Sequence, residues 1–344
     1  YMEARKFLNN FVENMKTMVD RIRAAQARPV ILSASPINDG AMLAKLGRNQ
    51  RLNEYAVALT DFATGEKIPY ADQFHALVDV WGLNKPRENL ANLLGPLTSL
   101  ANDDSLTGVE HLRDFLAAQA ENPRKPVSMQ GDPVHPGPNG QLMMAAALLK
   151  ALGADGFVSS VTIDAGKVVE AKGCQVDGIS VSNDGVEFDR LDERLPFPIP
   201  DGTVDVMPLF PAIEELSQYM LTVKGLARGS YTLAINGMPV GTLTHDQLAA
   251  GVNLTSLVHQ PPAKQENANA LLLQSRAILN AVAQKEGLVS QWRGLSKNAI
   301  ADGAPAELKT QLADLTNKVE EADAKIRDAA RPQKLRFSIM PTNR

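Results

Sequence analysis

Val30-Ile31-Leu32-Ser33-Ala34-Ser35-Pro36 is a short apolar run, β-branched at its start and closed by a proline. A run of this kind, without polar alternation, reads as a strand buried on both faces, as in parallel sheets. Its neighbours agree. Upstream, Phe7, Phe11, Met15, Met18, Val19 and Ile22 recur at three- and four-residue steps among charged residues. That spacing predicts an amphipathic helix of about six turns, ending before Pro29. Downstream, Asn38-Asp39-Gly40 is a turn, and a second helix carries Leu52, Tyr55, Ala56, Leu59 and Phe62. Thr64-Gly65 is expected to end that helix, and Lys67–Phe74 reads as another strand. Helix, strand, helix, strand at this spacing implies an α/β fold with a parallel sheet and crossover helices.

Residues 76–122 read as helical and polar, with breaks at Pro86, Gly95-Pro96 and Asn102-Asp103-Asp104; Leu112, Phe115 and Leu116 mark one face. Next comes Gly131-Asp132-Pro133-Val134-His135-Pro136-Gly137-Pro138-Asn139-Gly140. A helix from Gln141 to Leu152 follows, with Asn139 as its expected N-cap and Gly153 as its stop. After Phe157 the texture changes. Val161-Thr162-Ile163, Ile179-Ser180-Val181, Leu221-Thr222-Val223 and Tyr231–Ile235 read as strands. Asp164-Ala165-Gly166, Asn183-Asp184-Gly185 and Asn236-Gly237 read as turns. The expectation is a small antiparallel, sandwich-like β module. Beyond Pro261-Pro262, residues 263–296 and 305–330 suit an antiparallel helical hairpin, the second helix carrying a narrow stripe of Leu308, Leu312, Leu315, Val319 and Ile326. Leu335–Met340 reads as a late strand that closes against the body. The chain is thus read as three parts: 1–155, 156–262 and 263–344.

Bulk properties exclude more than they select. The 344 residues are 44% hydrophobic and 22% charged, with a net charge of −4. That balance gives no bulk attraction to nucleic acid or to anionic lipid. No apolar run approaches the ~18 residues of a bilayer span. The single cysteine, Cys174, excludes an internal disulfide and reads as a small buried or half-buried side chain.

Chemistry concentrates at Asp132 and His135. A carboxylate that accepts from one imidazole nitrogen fixes the tautomer, leaves the other nitrogen free as a base, and stabilises the imidazolium that forms. Pro133 restricts the backbone between them, and Pro136 and Pro138 delay the helix until the histidine has been placed. Spacing alone leaves catalysis and a plain surface pair both open. The other candidates carry less. His75 follows a strand, where it would line a site or simply pack. His111 lies beside charged helix residues and reads as solvated. His245 and His259 fall in the β module and read as structural. Ser33 and Ser35 end a strand, where they could approach the pocket, but lack the sharp turn of a nucleophile and are expected to satisfy backbone groups or line the floor. No His, Cys, Asp or Glu pair has metal-ligand spacing.

The block Asp132–Gly140 resembles the last signature block of the SGNH (GDSL-type) hydrolases, and the Gln141–Leu152 helix resembles that family's closing helix. The long first helix and Val30–Pro36 are similar to the helix and strand after the family's third block. The resemblance covers residues 1–155. Residues 156–344 are similar in layout to tails on SGNH proteins of some environmental bacteria, carried by Tyr231–Gly237, Val240-Gly241 and Gly251-Val252-Asn253-Leu254. The resemblance implies a flavodoxin-like three-layer parallel sheet and a serine esterase in which His135 is the base and Asp132 its orienting acid. It implies no metal or organic cofactor. Small acyl esters or acetylated carbohydrate would be the substrates, and the protein would be an exported bacterial one. The family's Gly-Asp-Ser nucleophile block, and the glycine and asparagine of its oxyanion hole, have no counterpart here. The expectation is therefore an incomplete sheet whose serine lies on a missing N-terminal segment, with the helical hairpin as a homodimer surface. A second reading keeps the scaffold without catalysis, as a binding protein that grips a glycan or protein through residues 156–344.

Overall fold

The computed structural model of the chain describes residues 2–38, 47–120, 127–128, 131–132, 134–182 and 185–342. The expected turn at Asp39-Gly40 and the turn residues Asn183 and Asp184 fall outside them. The chain is mixed α/β and divides into two compact units, Tyr1–Asp155 with Asp205–Ile213, and Gly156–Val204 with Glu214–Arg344.

In the first unit, helix α1 (Met2–Ala24) leads to strand β1 (Ile31–Leu32). Helix α2 (Arg48–Glu66), strand β2 (Tyr70–Ala71), helix α3 (Gln73–Ala101), helix α4 (Glu110–Ala120) and helix α5 (Pro138–Ala151) follow. β1 and β2 pair in parallel, Ile31 beside Tyr70 and Leu32 beside Ala71, as the crossover pattern requires. The apolar spacing of α1 has a purpose here: Val19, Ile31, Leu59, Ala63 and Ile68 form a core flanked by Phe11, Met15, Phe62 and Tyr70.

Several local expectations are corrected. The second strand is much shorter than Lys67–Phe74, because the Asp72 side chain accepts from the His75 N–H and starts α3. α2 runs past Thr64-Gly65 to Glu66. Its stop is Lys67, in a left-handed conformation (φ 55°) that sends its N–H back to the Ala63 and Thr64 carbonyls. α3 is one helix through Pro86 and Gly95-Pro96, ending at Asn102. An interior proline costs ~3 kcal/mol. The Asp72 cap and the full burial of Phe74, Leu77, Val78 and Trp81 offset it, since such side chains contribute roughly 1.5–3 kcal/mol each. α5 is capped by Gly137 with Pro138 in its first turn, not by Asn139, whose amide instead donates to the Ser128 carbonyl at 2.7 Å.

The second unit holds strands β3 (Phe157–Asp164), β4 (Lys167–Lys172), β5 (Cys174–Ser182) and β6 (Gly185–Asp192). A 3-10 turn (Val204–Leu209) and helix α6 (Ala212–Glu215) follow in the chain, residues 205–213 of them belonging to the first unit. Then come β7 (Gln218–Lys224), β8 (Ser230–Ile235), β9 (Met238–Thr244), helix α7 (His245–Ala250), β10 (Val252–Asn253) and helix α8 (Thr255–Val258). After a short 3-10 turn at Gln265–Asn267, helices α9 (Ala270–Ala299) and α10 (Ala306–Ala329) lead to β11 (Leu335–Pro341).

Two sheets form, in the orders β10-β7-β3-β4 and β5-β6-β11-β8-β9. Alternation along β6, β7 and β11 turns one face of each inward. Val161, Ile163, Tyr219 and Leu221 meet Val186, Phe188, Leu233 and Phe337 in one core. Cys174 is buried beside it. Gly173 (φ 64°) carries the chain from one sheet into the other, and a Cβ there would stand 2.8 Å from the Val158 carbonyl oxygen. The module is not purely antiparallel: β3 and β7 pair in parallel. The late strand is an interior one, hydrogen-bonded to β6 on one side and β8 on the other. α9 and α10 form the antiparallel hairpin, tied by Trp292 Nε1 to Thr316 Oγ1 (3.0 Å) and Lys285 Nζ to Asp323 Oδ1 (2.6 Å). No helix among the described residues is long and apolar enough to cross a membrane.

Candidate active site

The loop ahead of α5 folds around one carboxylate. Asp132 Oδ1 accepts from the backbone N–H of Val134 (2.9 Å) and of His135 (2.8 Å). Asp132 Oδ2 lies 2.6 Å from His135 Nδ1. The Gly131 N–H donates to the His135 carbonyl at 3.1 Å and closes the turn. A Cβ at residue 131 would stand 2.5 Å from that carbonyl oxygen, so this position is held to glycine. Gln141 Nε2 reaches back to the Pro136 carbonyl at 3.1 Å and ties the loop to α5. Pro133 lies outside the described residues.

Three donors on one carboxyl group have an electrostatic consequence. The His135 side chain, then the Val134 and His135 backbone N–H groups, hold Asp132 down to about 2 from its usual 3.8. Asp132 is thus a carboxylate at any ordinary pH, and a carboxylate can only accept. His135 must therefore carry its proton on Nδ1 in the neutral state, which leaves Nε2 with a lone pair. The side chain is 78% exposed. Among the described residues no serine hydroxyl meets that nitrogen. The arrangement is an exposed imidazole oriented by a carboxylate.

The same spacing occurs a second time, at Asp72 and His75. Asp72 Oδ1 accepts from the His75 N–H at 2.9 Å, and Oδ2 lies 2.7 Å from His75 Nδ1. Here, however, Nε2 is 2.8 Å from Asn53 Oδ1. An amide can meet either protonation state of that nitrogen, with its oxygen or with its NH2. Both ring nitrogens are committed, and the pair caps α3. Sequence reasoning placed His75 after a strand and overlooked Asp72; the D-x-x-H spacing at 72–75 was the available signal.

The remaining candidates are kept apart from this loop by their contacts. Ser33 is buried, accepts from the Phe74 N–H at 2.9 Å and lies 3.4 Å from Asp72 Oδ1, so it satisfies the start of α3. Ser35 is half-buried and His111 is exposed on α4. His245 opens α7, its Nδ1 3.4 Å from the Gly229 N–H. His259 is buried in the second unit with Nδ1 2.7 Å from the Thr255 carbonyl oxygen. Burial pushes the Cys174 thiol up, away from the thiolate form a nucleophile needs. No group of three or more His, Cys, Asp or Glu among the described residues can hold a metal ion.

No family model and no curated protein matches the chain. Among solved structures, a gut microbial diltiazem-metabolizing enzyme is similar, with a TM-score of 0.62 at 18% identity over 98% of this chain and 78% of that one. At that identity the likeness shows a shared mixed α/β fold.

Proposed function

We propose that the chain is the base-bearing portion of a serine ester hydrolase of the SGNH class. The observation that carries the reading is the Asp132–His135 pair, which fixes the tautomer on an exposed side chain whose Nε2 has no partner among the described residues. The nucleophilic serine would come from a segment N-terminal to these residues. His135 Nε2 would take the serine proton as the oxygen attacks the acyl carbonyl, and would return it to the leaving alkoxide. Water, activated by the same nitrogen, would then release the acyl group. Asp132 would hold the ring and stabilise the imidazolium. Small acyl esters, including acetylated carbohydrate, fit this chemistry, and export of the protein belongs to the same proposal. That an enzyme of similar fold metabolizes diltiazem supports an enzymatic use of the scaffold.

The test is hydrolysis of p-nitrophenyl acetate by a longer chain that includes the upstream segment, compared with the same chain carrying His135→Ala. Activity that depends on His135 is expected. Equal turnover by both proteins would remove the assignment. A non-catalytic binding protein on the same scaffold is the second reading. It is favoured by the lack of any serine hydroxyl on His135 Nε2 among the described residues. It predicts no His135-dependent turnover even with the upstream segment restored.

A further inference from the structure

A cavity of about 10 Å³ lies at the root of the helical hairpin in the second unit. Its walls are apolar at Leu195, Leu271 and Ile278, and polar at His259, Gln274 and Ser275. Ser275, in the second turn of α9, is 5% exposed, and its Oγ has no hydrogen-bond partner among the described residues. His259, just after α8, is 2% exposed. Its Nδ1 lies 2.7 Å from the Thr255 carbonyl, which can only accept, so Nδ1 carries the proton. Nε2 is then a bare acceptor with no protein partner among the described residues. The Gln274 amide nitrogen is fully used, donating to the Ala329 and Arg331 carbonyls at 2.9 and 2.7 Å, which leaves its oxygen available.

An unpaired buried hydroxyl costs ~1–3 kcal/mol, and buried polar groups as a rule find a partner. A cavity of this size is at the threshold for one water molecule, ~10–15 Å³, and a stable buried water needs two to four polar contacts. We propose that this cavity is a binding site for a single water molecule that donates to His259 Nε2 and bonds Ser275 Oγ. Burial, which lowers the basicity of His259, keeps Nε2 free to accept. The water joins α9 to the end of α8. It supplements the direct bond from Asn269 Nδ2 to the Val258 carbonyl at 2.8 Å. The apolar walls would make its exchange slow.

The experiment uses the 344-residue chain itself. A water-selective NMR experiment should give a cross-peak between solvent and the His259 ring protons, with the sign of a long-lived bound water. A high-resolution crystal structure should show one density peak within hydrogen-bond reach of both His259 Nε2 and Ser275 Oγ. Ser275→Ala should abolish or strongly weaken the cross-peak while the Nδ1–H tautomer of His259 persists. A Ser275 hydroxyl bonded to the Leu271 carbonyl with no density in the cavity would overturn the proposal. So would an undiminished cross-peak in Ser275→Ala. Should that variant fail to fold, the wild-type cross-peak and density decide alone.

Discussion

Asn53 occupies Nε2 of His75, the ring nitrogen that on His135 has no partner among the described residues. Oδ1 of Asn53 lies 2.8 Å from His75 Nε2, while the Nδ1 side of each histidine is bound by an aspartate three residues earlier, at 2.7 and 2.6 Å. One motif therefore serves two ends within a single unit. A histidine held on both sides is a structural cross-link between α2 and the start of α3. A histidine held on one side is an oriented ring that keeps the lone pair of its second nitrogen. The distinction lies in what surrounds the pair, which spacing does not encode.

The first expected outcome separates these roles by stability. His75→Ala removes one side-chain hydrogen bond to Asn53 of α2 and one to Asp72 within the β2–α3 junction, and should cost about 1–3 kcal/mol. His135→Ala removes an exposed ring and one exposed hydrogen bond to Asp132, and should lower the urea midpoint less than His75→Ala does. Urea unfolding of the two variants beside the wild type measures both. A midpoint for His75→Ala equal to that of the wild type would show that the cross-link carries no weight.

Asp132 gives a pH expectation whose sign is fixed by its donors. Its carboxyl is depressed to about 2 from 3.8 by His135 and by two backbone N–H groups. A group whose folded pKa is lowered contributes fully above its unfolded value, and the contribution fades as pH falls towards the folded one. The loop should thus keep its geometry from neutral pH down to about 4 and loosen between 4 and 2. Carboxyl-carbon NMR titration of Asp132 should show a midpoint near 2. In His135→Ala the midpoint should move up towards the ordinary carboxylate value, because the largest donor is gone.

His259 behaves in the opposite sense. Burial lowers its pKa below the ordinary 6.5, with the Thr255 carbonyl and Asp201 opposing that shift. Asp201 is itself paired with Arg276 at 3.0 Å. Below pH 6.5 the unfolded chain takes up a proton that the folded chain resists. Stability should therefore fall as pH drops through 6.5, and keep falling until the folded pKa is reached. His259→Gln should flatten that part of the curve. Urea midpoints between pH 7.5 and 5 provide the comparison.

Much of this organisation was legible before any coordinates. The apolar steps of α1 bring Phe11, Met15 and Val19 to the core, though Phe7 and Met18 of the same stripe are exposed, and Asn236-Gly237, both with positive φ (50° and 79°), makes the tight turn between β8 and β9 as its residue types require. The Asp132–His135 contact was readable because both partners lie within one turn of chain. Long-range partnering was not. Nothing local in Phe157–Asp164 says that it pairs in parallel with Gln218–Lys224, and nothing in Leu335–Pro341 says that it will lie between β6 and β8. Proline was over-read in α3, where tertiary burial outweighs a local penalty. The polar cluster around Arg190 is not legible for a related reason: its members come from the three strands β3, β6 and β7.

Arg190 is fully buried in the core of the second unit, and its charge is satisfied there by a closed set of partners. Nε lies 2.8 Å from Asp192 Oδ1, one terminal nitrogen 2.7 Å from Ser159 Oγ and the other 3.3 Å from the Met220 carbonyl. Ser159 Oγ and Tyr219 Oη also donate to Asp192, at 2.5 and 2.9 Å. The guanidinium stands 4.1 Å from the centre of the Tyr219 ring, within cation–π range. The cluster joins β6 of one sheet to β3 and β7 of the other. Removing one charge and leaving its partner should hurt more than removing both. Asp192→Ala leaves a buried guanidinium uncompensated and should cost about 3–5 kcal/mol, whereas replacing a buried pair with apolar residues of similar size is often near neutral. Arg190→Met with Asp192→Leu should therefore lose less stability than Asp192→Ala alone. Tyr219→Phe, which removes only the hydroxyl donor, should cost about 1–2 kcal/mol. Urea unfolding of the three variants orders them. If the double replacement proves the least stable, the ion pair itself, and not merely its completeness, holds the sheets together.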